Sequence, residues 1–367
     1  MKHPSSCNHI TVSDANQDRP GASSASRREF LRSVAVVGVG AMLPATGLIA
    51  QVASTGGGPK AGRIDVHNHY GSPALTAAVG EKRLGAAVAG WTPEKALADM
   101  DGAGVSTGLL SIAPQGDPFG DPATAVRLAR DCNEYAAKVA ADHPGRFGVY
   151  GMTPMPNIDG TLKEIEYALD TLKADGICFF TSYGDKWLGD AAFNPVFEEL
   201  NRRKTLVYTH PITANCCKNL IPNLGDGAIE WGTDTTRAVA NMIFNGAQAR
   251  YPNVRMIFSH GGGTMPFLVE RFANMAKGAQ YASKFPDGFA GAAAKYFYDT
   301  AQVANPAAMS ALSKVVPISS IVFGTDFPFR KAGEHVQGLK DCGVFSADDL
   351  RKIDRENILP FVPRFKT

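Results

Sequence analysis

Cysteine is scarce and irregularly placed in this chain. The six residues Cys7, Cys132, Cys178, Cys216, Cys217 and Cys342 form no CxxC pair. That excludes a disulfide framework and leaves free thiols in core or loop. Cys216 and Cys217 are adjacent and poorly placed to bridge each other. Charge of one sign is also lacking, since 37 Lys and Arg oppose 35 Asp and Glu for a formal net charge of +2. With no Lys/Arg run interleaved with aromatics, a nucleic-acid binder is excluded, because it needs a concentrated basic face. No GxGxxG follows the first strand-like segment, which removes the usual dinucleotide site. What the chain does have is 44% apolar residues over 367 positions, enough for one large core and too many for wholesale disorder.

The N-terminal segment is a separate object. Residues 1–25 are polar, followed by Ser26-Arg27-Arg28-Glu29-Phe30-Leu31-Arg32 and an apolar, Ala/Val/Gly-rich stretch from Ser33 to Ala53. A charged segment, an apolar segment and small residues in that order are the parts of an export signal. The paired arginines before Phe-Leu resemble the twin-arginine signal. Gly38, Gly40, Pro44 and Gly47 interrupt the apolar stretch, which disfavours a spanning helix. We therefore expect residues 1–53 to be a twin-arginine-type leader with cleavage near Ala50 or Ala53. Residues 54–61, with Gly56-Gly57-Gly58-Pro59, read as a linker, and 62–367 as the catalytic domain. The implied partner is the twin-arginine export machinery and the implied compartment is the periplasm.

From Arg63 onward, eight short apolar or β-branched runs alternate with helix-like segments. The runs are Arg63–His67, Val105–Ile112, Phe147–Thr153, Gly176–Thr181, Thr205–His210, Arg255–His260, Tyr296–Thr300 and Ile321–Asp326. Such continuous runs fit strands buried on both faces. Helices are expected over 93–100, 123–141, 161–173, 193–203, 235–250, 265–277, 306–315 and 347–357. Thr92-Pro93 is a cap followed by proline, and Thr161 with Glu164 reads as a capping box. Eight repeats favour an α/β fold of the (β/α)8 TIM-barrel type over an open doubly wound sheet.

Barrel chemistry gathers at the carboxyl ends of the strands. Four of the eight histidines lie at such ends: His67 and His69, His210, and His260. Residues two apart on a strand share a face, so His67 and His69 both face the axis. With His210 and Asp326 they make a ligand set for one divalent ion, zinc first and manganese second. His260, before three glycines, reads as a general acid/base, the glycines allowing close approach of a ligand. His143, His335, His3 and His9 read as surface residues.

The ordered segments DVHNHY (65–70), WTPEKALADMDGAGV (91–105), HPGRFGVYGMTPMP (143–156), FNPVFEELNRRKTLVYTHP (193–211), YPNVRMIFSHGGGTMPFLVERF (251–272) and IVFGTDFPF (321–329) resemble the amidohydrolase-2 branch of metal-dependent hydrolases. Within it they are similar to the aminocarboxymuconate-semialdehyde decarboxylase group. EIEYALDTLKADGI (164–177) and SYGDKWLGD (182–190) look closer to 6-methylsalicylate decarboxylases. The resemblance implies His67, His69, His210 and Asp326 as metal ligands, His260 and Asp326 as catalytic groups, and a homodimer. It implies substrate contacts at Trp91 and at Arg271, the latter reaching across to a neighbouring subunit's substrate. The sequence differs in its Gly/Ala-rich segment Gly71–Gly90, where only Arg83 is near the family's substrate arginine. It also has no aromatic residue in Ile212–Cys217 after His210-Pro211.

Three functions fit these features. The first is non-oxidative decarboxylation of a hydroxylated aromatic or related unsaturated carboxylic acid. The second is hydrolysis of an amide, ester or lactone by metal-activated water. The third, a non-catalytic periplasmic binding protein, is disfavoured by an intact ligand set. The leader makes its own prediction. Replacing Arg27 and Arg28 together by Lys should leave the protein in the cytoplasm, measured by cell fractionation; unchanged delivery would remove the export assignment.

Overall fold

The computed structural model describes residues 62–113, 121–282 and 284–366. The leader and the linker lie outside the described residues. Eight parallel strands run in chain order around a barrel: β1 (Arg63–Tyr70), β2 (Val105–Ile112), β3 (Phe147–Gly151), β4 (Gly176–Phe180), β5 (Leu206–His210), β6 (Arg255–Phe258), β7 (Phe297–Asp299) and β8 (Ile321–Val322). The last strand returns to the first: Val66 N donates to Phe323 O at 2.9 Å, Asp326 N to His67 O at 2.9 Å, and His69 N to Phe327 O at 2.7 Å. The expected barrel is thus present, with strand bounds shifted by a few residues at the carboxyl ends.

The principal helices are α1 (Pro93–Ala103), α2 (Pro122–Asp142), α3 (Ile158–Glu166), α4 (Asn194–Arg203), α5 (Glu230–Phe244), α6 (Met265–Ala276), α7 (Pro306–Val315) and α8 (Ala332–Asp341). Thr92 caps α1 as expected, its side chain accepting from Lys95 N. Other expectations are corrected. Asn157, not Thr161, caps α3 by accepting from Gly160 N, because the helix starts one turn earlier and buries Thr161 within it. Helix α5 likewise begins at Glu230 rather than Thr235. The segment Gly71–Gly90 contains three short helices between its glycines. Helix α8 was not anticipated: Glu334, Gln337, Gly338 and Lys340 blur its apolar spacing, although Leu339 and His335 are buried. His335, expected at the surface, is only 2% exposed.

Alternation along β1 divides its side chains. Tyr70 points outward and its hydroxyl donates to Cys132 O on α2 at 3.1 Å. His67 and His69 point to the axis, and Asp65, His67 and His69 are fully buried. Asp65 closes the barrel. Its carboxylate accepts from Thr325 N (3.1 Å), Thr325 Oγ1 (2.7 Å), Asn68 Nδ2 (3.0 Å) and His67 N (3.0 Å). Burial raises its pKa to about 6 against the lowering effect of those donors. Asp65→Ala would strand two buried backbone donors, each costing about 1–3 kcal/mol. Thermal unfolding should therefore show a loss of roughly 3–5 kcal/mol; a loss under 1 kcal/mol would contradict this role.

Candidate metal centre

The carboxyl ends of β1, β5, β6 and β8 bring His67, His69, His210, His260 and Asp326 to one point on the barrel axis, all of them buried. His67 Nε2, His69 Nε2 and Asp326 Oδ1 form a triangle with edges of 3.0, 3.1 and 3.2 Å. Ligand atoms bonded to one zinc-like ion at about 2.0–2.1 Å lie about 3.3 Å apart in a tetrahedron, so these edges suit a shared cation. Ligand atoms of His67, His210, His260 and Asp326 lie within 4.8 Å of one another. His69 belongs to the same cluster through the triangle, so all of the sequence-predicted metal and catalytic residues are brought together.

The outer nitrogens separate the histidines. His67 Nδ1 lies 2.8 Å from Asp299 Oδ2, His69 Nδ1 lies 3.0 Å from Ser111 Oγ, and His210 Nδ1 lies 2.8 Å from Pro211 O. Each pairing directs Nε2 inward, the arrangement by which a protein orients metal-binding imidazoles. Among the described residues, His210 Nε2, Asp326 Oδ1 and His260 Nε2 are buried without a hydrogen-bond partner. Buried polar atoms of this kind are rare unless they bind something. The residues therefore fit a divalent ion, which His67, His210, His260 and Asp326 could hold, with His69 in reach through the triangle. His260 is set apart: its Nε2 is 3.6 Å from Asp326 Oδ2, and it is its backbone N, not its ring, that donates to Asp299 Oδ1 at 2.8 Å.

The electrostatics ask for positive charge here. Burial opposes a charged His67, yet Asp299 and then Asp326 overcome it and raise its pKa to about 10. Burial and the neighbouring imidazoles push His210 well below its usual value. His69 is also lowered, by burial first. Burial resists ionisation of Asp326, but His67 first, and then the close approach of His260 and His69, hold its carboxyl well below the usual range. The two buried carboxylates thus favour positive charge at His67, while burial keeps His69 and His210 in the neutral form that coordination needs.

Backbone strain also collects at the site. His260, Gln302 and Asp326 have φ of 54°, 61° and 65°, a left-handed region costly for side-chain-bearing residues. The glycines after His260 allow close packing of the turn. A Cβ on Gly263 (φ 68°) would sit 1.9 Å from Gly232 O, and one on Gly262 (φ 77°) would meet the Tyr298 ring at 2.8 Å.

Two aromatic rings border the cluster. Trp231, in the first turn of α5, lies 5.6 Å from the His210 ring, and Phe329 lies 5.8 Å from that of His69. Trp231 supplies an aromatic wall that the segment after His210-Pro211 lacks. Trp91 is placed elsewhere: it is 6% exposed and packs on Tyr70 and Tyr135 in the layer between barrel and helices. Arg271 is exposed on α6, away from the cluster's own contacts. Sequence reading missed Asp299, Ser111, Trp231, Phe329, Gln302 and His335. Only Asp299 carried a signal, a carboxylate ending the apolar run Tyr296–Tyr298.

Residues 64–363 match the amidohydrolase family. The chain belongs to that family. It is 34% identical over 324 residues to a decarboxylase of Aspergillus niger, covering 83% of this chain and 88% of that one. It is 32% identical over 322 residues to a 6-methylsalicylic acid decarboxylase of Penicillium expansum, covering 83% and 97%. Among solved structures, 5-carboxyvanillate decarboxylase of Sphingomonas paucimobilis superposes with a TM-score of 0.72 at 21% identity, covering 82% of this chain and 98% of that one. A dihydroxybenzoic acid decarboxylase of Polaromonas, solved with bound manganese, gives 0.69 at 18% identity, covering 83% and 98%. At these identities the structural likeness speaks for the barrel fold.

The cluster predicts metal-linked stability in this family member. A ligand at a hundred times its Kd stabilises by about 2.7 kcal/mol. Chelator treatment should therefore lower Tm by roughly 5 °C, and zinc or manganese should restore it. His210→Ala should remove the increment; an increment of wild-type size in that variant would exclude His210 as a ligand.

Proposed function

We propose that this chain is a metal-dependent non-oxidative decarboxylase, a carboxy-lyase acting on a hydroxylated aromatic carboxylic acid. The observation that carries the reading is the group of inward Nε2 atoms sharing Asp326 Oδ1 between two aromatic walls. It stands in a chain more than 30% identical to named decarboxylases. His67, His69, His210 and Asp326 would hold one divalent ion, which would supply Lewis acidity at the carboxylated end of the substrate.

The chain's own groups do the rest. Trp231 and Phe329 hold the aromatic ring and exclude water. His260 is the proton donor, and the carboxylate Oδ2 of Asp326, 3.6 Å from its Nε2, supports the charged imidazole. The proton goes to the ring carbon bearing the carboxylate, the carbon–carbon bond breaks, and carbon dioxide leaves with the ring regaining aromaticity. Carbon dioxide release should be measured over a panel of ortho-hydroxybenzoic acids, beside esters and lactones. Turnover of the acids is expected, and His260→Ala should lower kcat by about 100-fold or more while keeping its metal. Turnover of the esters or lactones alone would make the protein a hydrolase. Binding without turnover would make it a binding protein.

The reading extends to assembly and place. Arg271 lies on α6 between Phe267, 69% exposed, and Met275, 55% exposed, at four-residue spacing on one face. Glu270 does not pair with it and accepts instead from Asn274 Nδ2. An apolar stripe around a guanidinium that has no partner among the described residues suits a homodimer in which Arg271 meets the substrate carboxylate in the partner's pocket. The twin-arginine-type leader would place this dimer in the periplasm. Mixing Arg271→Ala chains with Asp326→Ala chains, each inactive alone, should restore part of the activity. A fully active monomer would end the trans role.

A further inference from the structure

The two oxygens of Asp326 have different neighbours. Oδ1 faces His67 and His69, whereas Oδ2 accepts a hydrogen bond from Gln302 Nε2 at 2.7 Å. Asp326 sits at φ 65° just beyond the short strand β8, so its own ladder does little to fix the carboxylate rotation. Gln302 lies in a different loop, after β7, and reaches across to it.

Gln302 is itself held at three points. Its backbone is in the left-handed region, φ 61°, where glutamine does not rest by preference. Its backbone N donates to His335 Nε2 at 3.0 Å, and that geometry requires an unprotonated Nε2. The ring proton is then on Nδ1, donating to Lys331 O at 3.3 Å. At the other end, Arg330 Nη1 donates to Gln302 Oε1 at 3.3 Å. An amide can be turned either way. The guanidinium settles the matter, because only one orientation gives it an oxygen and leaves the NH2 for Asp326.

We propose that Gln302 is a positioning residue for the metal centre, set by His335 at its backbone and by Arg330 at its amide. It ties down Oδ2 so that Oδ1 is the oxygen presented to the ion. This explains a buried histidine on α8 whose side chain touches no ligand. It also explains why a strained position carries glutamine rather than glycine. The proposal rests on Asp326 being a metal ligand.

The test is isothermal titration of chelator-treated protein with manganese(II), with thermal unfolding of the metal-free protein measured in parallel. Gln302→Gly is the informative variant, since glycine accepts the left-handed backbone but has no amide. Its Kd should rise 10- to 100-fold, the usual consequence of losing an outer partner of a ligand, while the metal-free Tm stays the same or rises. His335→Phe should weaken binding in the same direction. His335→Gln, which can still accept from Gln302 N, should bind within threefold of the unaltered protein. A Gln302→Gly variant that binds manganese within twofold of the unaltered protein would overturn the proposal. So would one whose metal-free form loses stability in proportion to its affinity. Asp326→Ala separates the two levels: lost binding there, with Gln302→Gly unaffected, refutes the positioning role alone. Undiminished binding in Asp326→Ala removes the ligand assignment beneath it.

Discussion

His67 is held between two buried carboxylates, Asp299 on one ring nitrogen and Asp326 on the other, and the rest of the centre is arranged around that constraint. Two carboxylates cannot be left uncompensated in a barrel interior, because an unpaired buried charge costs several kcal/mol. The protein answers with imidazoles whose outer nitrogens are already occupied by Asp299, Ser111 and Pro211 O. A divalent cation held by this cluster would supply the remaining positive charge. Asp299 also receives the backbone N–H groups of His260 and Ala301. One side chain therefore orients a ligand histidine and fixes the turn that carries the proposed acid/base.

The barrel's geometry makes this possible at little cost to the fold. Strands β1 and β8 are neighbours only because the sheet closes, and Asp65 with Thr325 locks that closure just below His67. The left-handed residues His260, Gln302 and Asp326 store local strain. They are held by partners on other loops, and the strain is offset by the many apolar residues buried in the core. The glycines beside His260 follow the same logic. They let the turn press against α5 and Tyr298, which in turn places Trp231 over His210.

The strand-end residues were legible because two signals coincide. Apolar runs of strand length mark the barrel, and polar residues interrupting their last positions mark its catalytic end. Asp299 was less visible, since a carboxylate closing an apolar run looks like an ordinary strand terminus. Trp231 was hidden by the helix boundary: five residues of α5 precede its expected start, and they carry the tryptophan toward the cluster. Trp91 showed the reverse. Its place in a matching motif suggested substrate contact, whereas burial against Tyr70 and Tyr135 puts it in the helix layer.

By itself the sequence determined the eightfold strand and helix alternation, the two-residue spacing of His67 and His69, and the appearance of His210, His260 and Asp326 at later strand ends. Those are local properties, set by side-chain period and by the hydrophobic pattern. Tertiary structure alone decided which nitrogen of each histidine faces inward, which carboxylate oxygen is shared, and which outer groups hold them. The partners that settle these questions lie far away along the chain: Asp299 is 232 residues from His67, and Gln302 is 24 from Asp326. His335 looks like a surface histidine on a polar segment until α8 folds back and its ring accepts the Gln302 N–H. A hydrogen bond between distant segments leaves no periodic trace in either of them, so only the closed barrel reveals it.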